Sequence, residues 1–189
     1  MRRHLGVFTA WLLGVTLIYA TAFPEGSASL EPGESFQQLA QQLKSPEHIA
    51  HFMWRRFSLI TDQTQFGKED YWQTPEELLV SGKGDCEDLA SFASEMLKLK
   101  GIPSLLINIY GGRFPHAVCI FKEKDAFNVI DVNGFQRYPG KDLKQLLSSI
   151  DPFWENGAIV THSPHSRRGK ILAKIERRIR EEHRFRISA

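Results

Sequence analysis

The sequence predicts an α+β fold in which helices come first and an antiparallel sheet follows. Three observations predict it. Leu89, Phe92, Ala93, Met96 and Leu97 recur at helical spacing, and Gly101 and Pro103 close that run. Two cap-plus-proline starts, Ser45-Pro46 and Thr74-Pro75, open helices ahead of it. Three strand-like runs, 104–110, 115–122 and 127–132, come after it. With 189 residues, 42% hydrophobic and 11% aromatic, the chain has material for one core and one domain.

Taken in order, residues 1–22 read as an export signal. Arg2, Arg3 and His4 form a basic start, residues 5–23 are almost wholly apolar, and Ala20-Thr21-Ala22 places small residues at a cleavage site. The alternative is a retained anchor through residues 5–23. Either way the domain is expected outside the cytoplasm, periplasmic or secreted. Residues 23–44, with Pro24, Gly26, Pro32 and Gly33, read as a flexible leader. The domain is placed at 45–166. It begins with a helix from Ser45 to about Ile60, then a stretch at 61–73 without clear period. A short helix ends near Ser81-Gly82, and Asp85 caps the main helix. Gly111-Gly112 joins the first two strands, 123–126 is a polar turn, and 142–150 is a helix. Residues 167–189 read as a basic amphipathic helix with Ile171, Leu172, Ile175 and Ile179 on one face.

Charge is unevenly spread. Without residues 1–22 the chain carries 22 Lys/Arg and 22 Asp/Glu. Residues 167–189 hold nine Lys/Arg against three Glu, so they carry +6 and leave −6 on 23–166. An acidic body argues against a nucleic-acid-binding core. The basic tail has two readings: a docked helix with a solvated face, or contact with an anionic membrane surface.

The chemistry concentrates in Gly84-Asp85-Cys86-Glu87-Asp88. A cysteine in the first turn of a helix faces unpaired N–H groups and a partial positive charge, which favour a thiolate and can contribute to an oxyanion hole. Of the seven histidines only His116 is set into an apolar strand. Strand parity places His116, Val118 and Ile120 on one face and Ala117, Cys119 and Phe121 on the other. A histidine at a strand start can lean over a helix end packed on its own face. Asp131 follows Val129-Ile130 on the next strand and can fix the imidazole tautomer. Cys86, His116 and Asp131 are therefore the candidate nucleophile, base and orienting acid. Cys119 is read as a small buried hydrophobe. Trp72 either lines the cleft near Cys86 or packs in the core with Phe66 and Tyr71. Gln65 or Gln73 is the candidate side-chain donor to an oxyanion.

The residues Asp62, 66–72, Thr74-Pro75-Glu76, Leu79, 82–88, His116-Ala117-Val118 and Val129-Ile130-Asp131 resemble the transglutaminase-like cysteine peptidases. The nearest branch is the bacterial transglutaminase-like cysteine proteinases of the periplasmic, adhesin-cleaving type. The resemblance implies a papain-like core with the cysteine helix packed on an antiparallel sheet, and the same triad. It also implies that Asp85 and Glu87 bind calcium. The residues suggest this independently: carboxylates beside a thiol raise its pKa, and a hard cation with oxygen ligands would remove that penalty. No cofactor is needed for the chemistry itself.

The expected protein is thus an exported, monomeric thiol hydrolase that cleaves amide bonds of protein substrates through a thioester. Two alternatives stay open: a protein-glutamine acyl transferase using the same triad, and a non-catalytic binding domain of the same fold.

Overall fold

A computed structural model of the protein describes residues 36–140, 142–162 and 169–177. The signal or anchor expected at 1–22 lies outside the described residues. Among those described, no helix is long and apolar enough to cross a membrane.

Among the described residues six helices and eight strands follow one another: α1 (Phe36–Gln42), α2 (Pro46–Arg56), β1 (Ser58–Leu59), α3 (Asp62–Phe66), α4 (Pro75–Ser81), β2 (Lys83–Gly84), α5 (Cys86–Leu99), β3 (Ser104–Tyr110), β4 (His116–Glu123), β5 (Ala126–Asp131), β6 (Gly134–Pro139), α6 (Leu143–Ile150), β7 (Asn156–Thr161) and β8 (Lys170–Glu176). The starts are those the caps predict. Ser45 accepts the His48 N–H ahead of Pro46, and Thr74 forms a reciprocal capping box with Glu77 ahead of Pro75. Asp142 accepts the Gln145 N–H at the head of α6.

β3 to β8 form one sheet in the order β6-β5-β4-β3-β7-β8, and every neighbouring pair in it is antiparallel. Each face of this sheet is covered. Leu89, Phe92, Ala93 and Met96 of α5 pack with Ala117, Cys119 and Phe121 of β4. On the other face Leu146 and Leu147 of α6 pack with Val118 and Ile120. Phe92 centres the larger core. It is fully buried and meets Phe57, Phe36 and Phe52 with ring centroids 4.9, 5.5 and 5.9 Å away.

Several expectations are corrected. The leader expected through residue 44 is helical over Phe36–Gln42, and Leu39, Ala40 and Leu43 are buried in the core. The first long helix stops at Arg56, because Ser58–Leu59 pairs in parallel with Lys83–Gly84. The basic helix expected over 167–189 is a strand over Lys170–Glu176, which pairs with β7. A register shift between Ile159 and Val160 adds one residue to β8. That bulge breaks the alternation of apolar residues and mimics helical spacing at Ile171 and Ile175. Residues 178–189 lie outside those described.

Phe92→Ala removes the ring that three other phenylalanines enclose. It is expected to cost about 3–5 kcal/mol in urea unfolding. A cost under about 1 kcal/mol would show that the cluster relaxes around the gap.

Candidate active site

The first turn of α5 is fixed by a buried carboxylate. Asp88, 2% exposed, accepts the Gln73 backbone N–H at 2.8 Å, the Gln73 Nε2 at 2.6 Å and the Asp85 N–H at 3.3 Å. The chain must pass close to that carboxylate, and only glycine allows it: a Cβ on Gly84 would lie 2.6 Å from Asp88 Oδ2. Asp85 is the N-cap and Cys86 the first helical residue. The sequence therefore places the thiol at the helix end, held against the 72–74 segment.

At the end of the sheet, His116 Nε2 lies 2.9 Å from Asp131 Oδ2. Asp131 is 4% exposed, and its Oδ1 accepts the Asn133 N–H at 2.7 Å and Gln136 Nε2 at 3.3 Å. The imidazole is thus held through Nε2, leaving Nδ1 for another partner. The Ala117 backbone N–H reaches the Cys86 thiol. Cys86 and His116 line one cleft of about 830 Å³, together with Trp72, Asn108 and Tyr110. The helix does not pack on the face that parity assigns to His116. It packs on the Ala117 and Cys119 face, and His116 joins the cleft because it is the first residue of β4.

The thiol is held protonated. Cys86 Sγ donates to Glu87 Oε2 at 3.2 Å. Burial, then the Glu87 carboxylate, push its pKa well above that of an ordinary thiol, and the Ala117 N–H offsets this only in part. The acids around it are raised too, burial being the largest cause in each. Asp85 is pushed up to about 10 with help from Glu87, Asp88 to about 7, and Asp62 upward. Ligand oxygens of Asp62, Asp70 and Glu87 lie within 4.8 Å of one another, as do those of Asp62, Asp85 and Asp88. The Oδ1 atoms of Asp62 and Asp85 are buried with no hydrogen-bond partner among the described residues. A compact, oxygen-only donor set with unsatisfied lone pairs fits a hard divalent cation such as calcium. The sequence singles out Asp85 and Glu87 as candidate donors. It does not single out Asp62 and Asp70, because the 61–73 segment has no period to place them.

The other sequence candidates divide. Trp72 is 2% exposed, so it is a core residue, yet it also lines the cleft and lies against His162. Of its aromatic companions, Tyr71 is half-buried and Phe66 is exposed. Gln73 is ruled out as an oxyanion donor: its amide N–H groups are committed to Asp88 and to the Lys83 carbonyl at 2.9 Å. Gln65 is half-buried with an unpaired Oε1, and it is not among the residues lining the cleft. Cys119 is fully buried between Ser94 and Ser104, and both cysteines are free thiols. Asn108 and Tyr110 were missed because neither carries a spacing signal.

A helix-start cysteine that shares a cleft with a carboxylate-held imidazole, over an antiparallel sheet, is an arrangement suited to thiol hydrolysis. The sequence model of the bacterial transglutaminase-like cysteine proteinases matches residues 25–133, more than half of the chain, and the chain belongs to that family. Among curated proteins no sequence matches it. Solved structures that resemble it include Legionella pneumophila LapG in an EGTA-treated form, with 20% identity, 70% of this chain and 76% of that chain covered, and a TM-score of 0.48. A calcium-bound form of the same protein gives 22% identity, 71% and 78% coverage, and a TM-score of 0.47.

Raised carboxyl pKa values have a defined consequence. A carboxyl with folded pKa above its unfolded value stabilises the fold fully below the unfolded pKa, and that stability is lost as pH rises through the folded pKa. For Asp88 and Asp85 the window runs from about 4 up to about 7 and about 10. In chelator, Asp85→Asn is therefore expected to melt a few degrees higher than wild type at about pH 8, with the gap closing towards about pH 4. A gap that stays constant with pH would show that Asp85 does not hold its proton in the fold.

Proposed function

We propose that the protein is an exported peptidase in which Cys86 is the nucleophile, His116 the base and Asp131 the orienting acid. The observation that carries this reading is the His116–Asp131 pair, 2.9 Å apart, whose His116 lines the same cleft as a helix-start thiol. In the first step His116 Nδ1 takes the Sγ proton, and the sulfur attacks a substrate amide carbonyl carbon. The Cys86 backbone N–H at the helix start supports the oxyanion. His116 then returns the proton to the leaving nitrogen, the C–N bond breaks, and a thioester remains on Cys86. His116 next takes a proton from water, the hydroxide adds to the thioester carbon, and the C–S bond breaks. The acid departs and the thiol is restored. Asp131 keeps the ring in one tautomer and stabilises its charged form throughout.

Asp85 and Glu87, with Asp62 and Asp70, are the residues that would hold calcium. When bound, it supplies positive charge beside the thiol and so lowers the energy of the thiolate. Held to calcium, Glu87 would no longer accept the Sγ–H, which would leave that proton to His116. The substrate is a protein or peptide met outside the cytoplasm. Of the basic tail, Lys170–Glu176 belongs to the sheet, which favours the docked reading for that segment.

The test uses residues 23–189 and casein as a general protein substrate, with Cys86→Ala, His116→Ala and Asp131→Asn. Wild type is expected to cleave. Cys86→Ala should be inactive, and the other two should lose about 10²–10⁴-fold in kcat. Incorporation of a labelled amine without cleavage would make the protein an acyl transferase. Neither activity, with a Cys86 that alkylates like an ordinary thiol, would make it a binding domain.

Calcium has its own readout. Added calcium is expected to shift the alkylation profile of Cys86 to lower pH, and Glu87→Gln should remove most of that shift. An identical profile in calcium and in chelator would end the calcium reading.

A further inference from the structure

β8 lies beyond the segment that defines the family, yet it forms a wall of the reactive cleft. Its register explains how. Lys174 is opposite Ala158 and Ile171 is opposite Val160, with the bulge between them. Residues directly opposed in a sheet share a face. The extra residue, Leu172, therefore brings Ile171 to the same face as Lys174 and Glu176, where strict alternation would have placed Leu172. All three line the cleft with Ala158 and Val160 of β7. Bulges beside active sites characteristically re-aim side chains in this way.

The wall is fastened at both ends. At its start Gly169 is buried against Trp72, so closely that a Cβ would lie 2.5 Å from the Thr161 carbonyl oxygen and 2.9 Å from the Trp72 ring. At its end the Arg177 N–H donates to the Glu155 carbonyl at 2.9 Å, and its guanidinium reaches the carbonyls of Pro152 and Trp154. Between these anchors the cleft-facing side chains are open to solvent: Ile171 is 48% exposed.

This wall carries one basic and one acidic side chain, Lys174 and Glu176, whereas the charged residues of the wall facing it are all acids. Glu69, Asp70, Asp85 and Glu87 line the cleft from the 62–72 segment and α5. Lys174 is the lysine that lines it from β8, and among the described residues no ion pair engages it. Ile171, Val160 and Trp72 make an apolar corner next to it. The two opposed pairs, Val160–Ile171 and Ala158–Lys174, are two residues apart along β7, or about 7 Å. An extended peptide carries same-face side chains at that same interval.

We propose that β8 is the specificity-determining wall of the cleft, taking an extended substrate segment with an apolar side chain against Ile171 and, two residues away, an acidic side chain against Lys174. This rests on the peptidase reading of Cys86. The carboxylates of the opposite wall, together with Glu176 two residues along β8, repel that acid and confine it to Lys174.

Two measurements on the full chain test the proposal, the first without any substrate. The rates at which iodoacetate and iodoacetamide alkylate Cys86 are compared at low ionic strength. Lys174→Glu is expected to lower the anionic-to-neutral ratio about threefold, and about 0.5 M NaCl to abolish the difference. Lys174→Arg should keep the wild-type ratio. A ratio unchanged in Lys174→Glu overturns the acidic subsite. In the second, a peptide library made from a whole proteome is digested. Wild type is expected to cut near an apolar–x–acidic pattern. Lys174→Glu should lose the acid preference, and Ile171→Ala should raise KM for peptides with the apolar residue while leaving kcat within about twofold. Cleavage with the same preferences in all variants overturns the wall. A library left uncut, with the alkylation ratio still shifted by Lys174→Glu, removes the peptidase reading and leaves the charged wall standing.

Discussion

Asp88 is the group on which the rest of the site depends. It is a carboxylate almost wholly out of water, and three N–H groups from two chain segments converge on it. A buried carboxylate without such partners would be costly, so the 72–74 segment cannot drift from the α5 start without stranding it. That single constraint sets the position of Trp72 in the cleft, the cap of α5 and the thiol in the same first turn. It also explains why Gly84 has no side chain and why the Gln73 amide has no proton left for a ligand. Residues near a catalytic group that look like donors in the sequence can already be committed to holding the scaffold.

The same site carries energy that the fold would not choose on packing grounds. Several carboxyl groups crowd the head of one helix, where burial disfavours their charged forms and raises their pKa values. The macrodipole favours acids at this end, but it cannot offset the desolvation of so many at once. A cluster of this kind is a cost accepted for function, because a scaffold serving stability alone would replace some of these acids with neutral residues.

Much of the fold was legible in the sequence where local rules and tertiary packing agree. The caps at Ser45, Thr74 and Asp85, the helix after Asp142, the period of Leu89 to Leu97, and the runs that became β3, β4 and β5 all fell where expected. What was missed depends on pairing between distant segments. β1 and β2 are two residues each and exist only because they meet. β6 and β7 lack a clean alternation, and β8 hides its alternation behind a bulge. Phe36–Gln42 is polar enough to pass for a leader until Leu39 and Leu43 are seen inside the core. In the site, Cys86, His116 and Asp131 stood out by residue type against an apolar background. The face of the sheet on which the helix packs did not, because parity fixes only which residues share a face and not which face a helix covers.

The two cysteines differ in a way that matters for a thiol enzyme. Cys119 is sealed in the core, 0% exposed, and burial pushes its thiol up to about 12, while Cys86 opens to the cleft. Oxidants therefore meet one sulfur only. A sulfenic acid formed there has no second accessible thiol in the chain with which to condense into a protective disulfide. Recovery must come from an external thiol, and prolonged exposure carries Cys86 onward to irreversible sulfinic and sulfonic acids. The working life of such a molecule is then set by the redox balance of its surroundings as much as by how firmly it is folded.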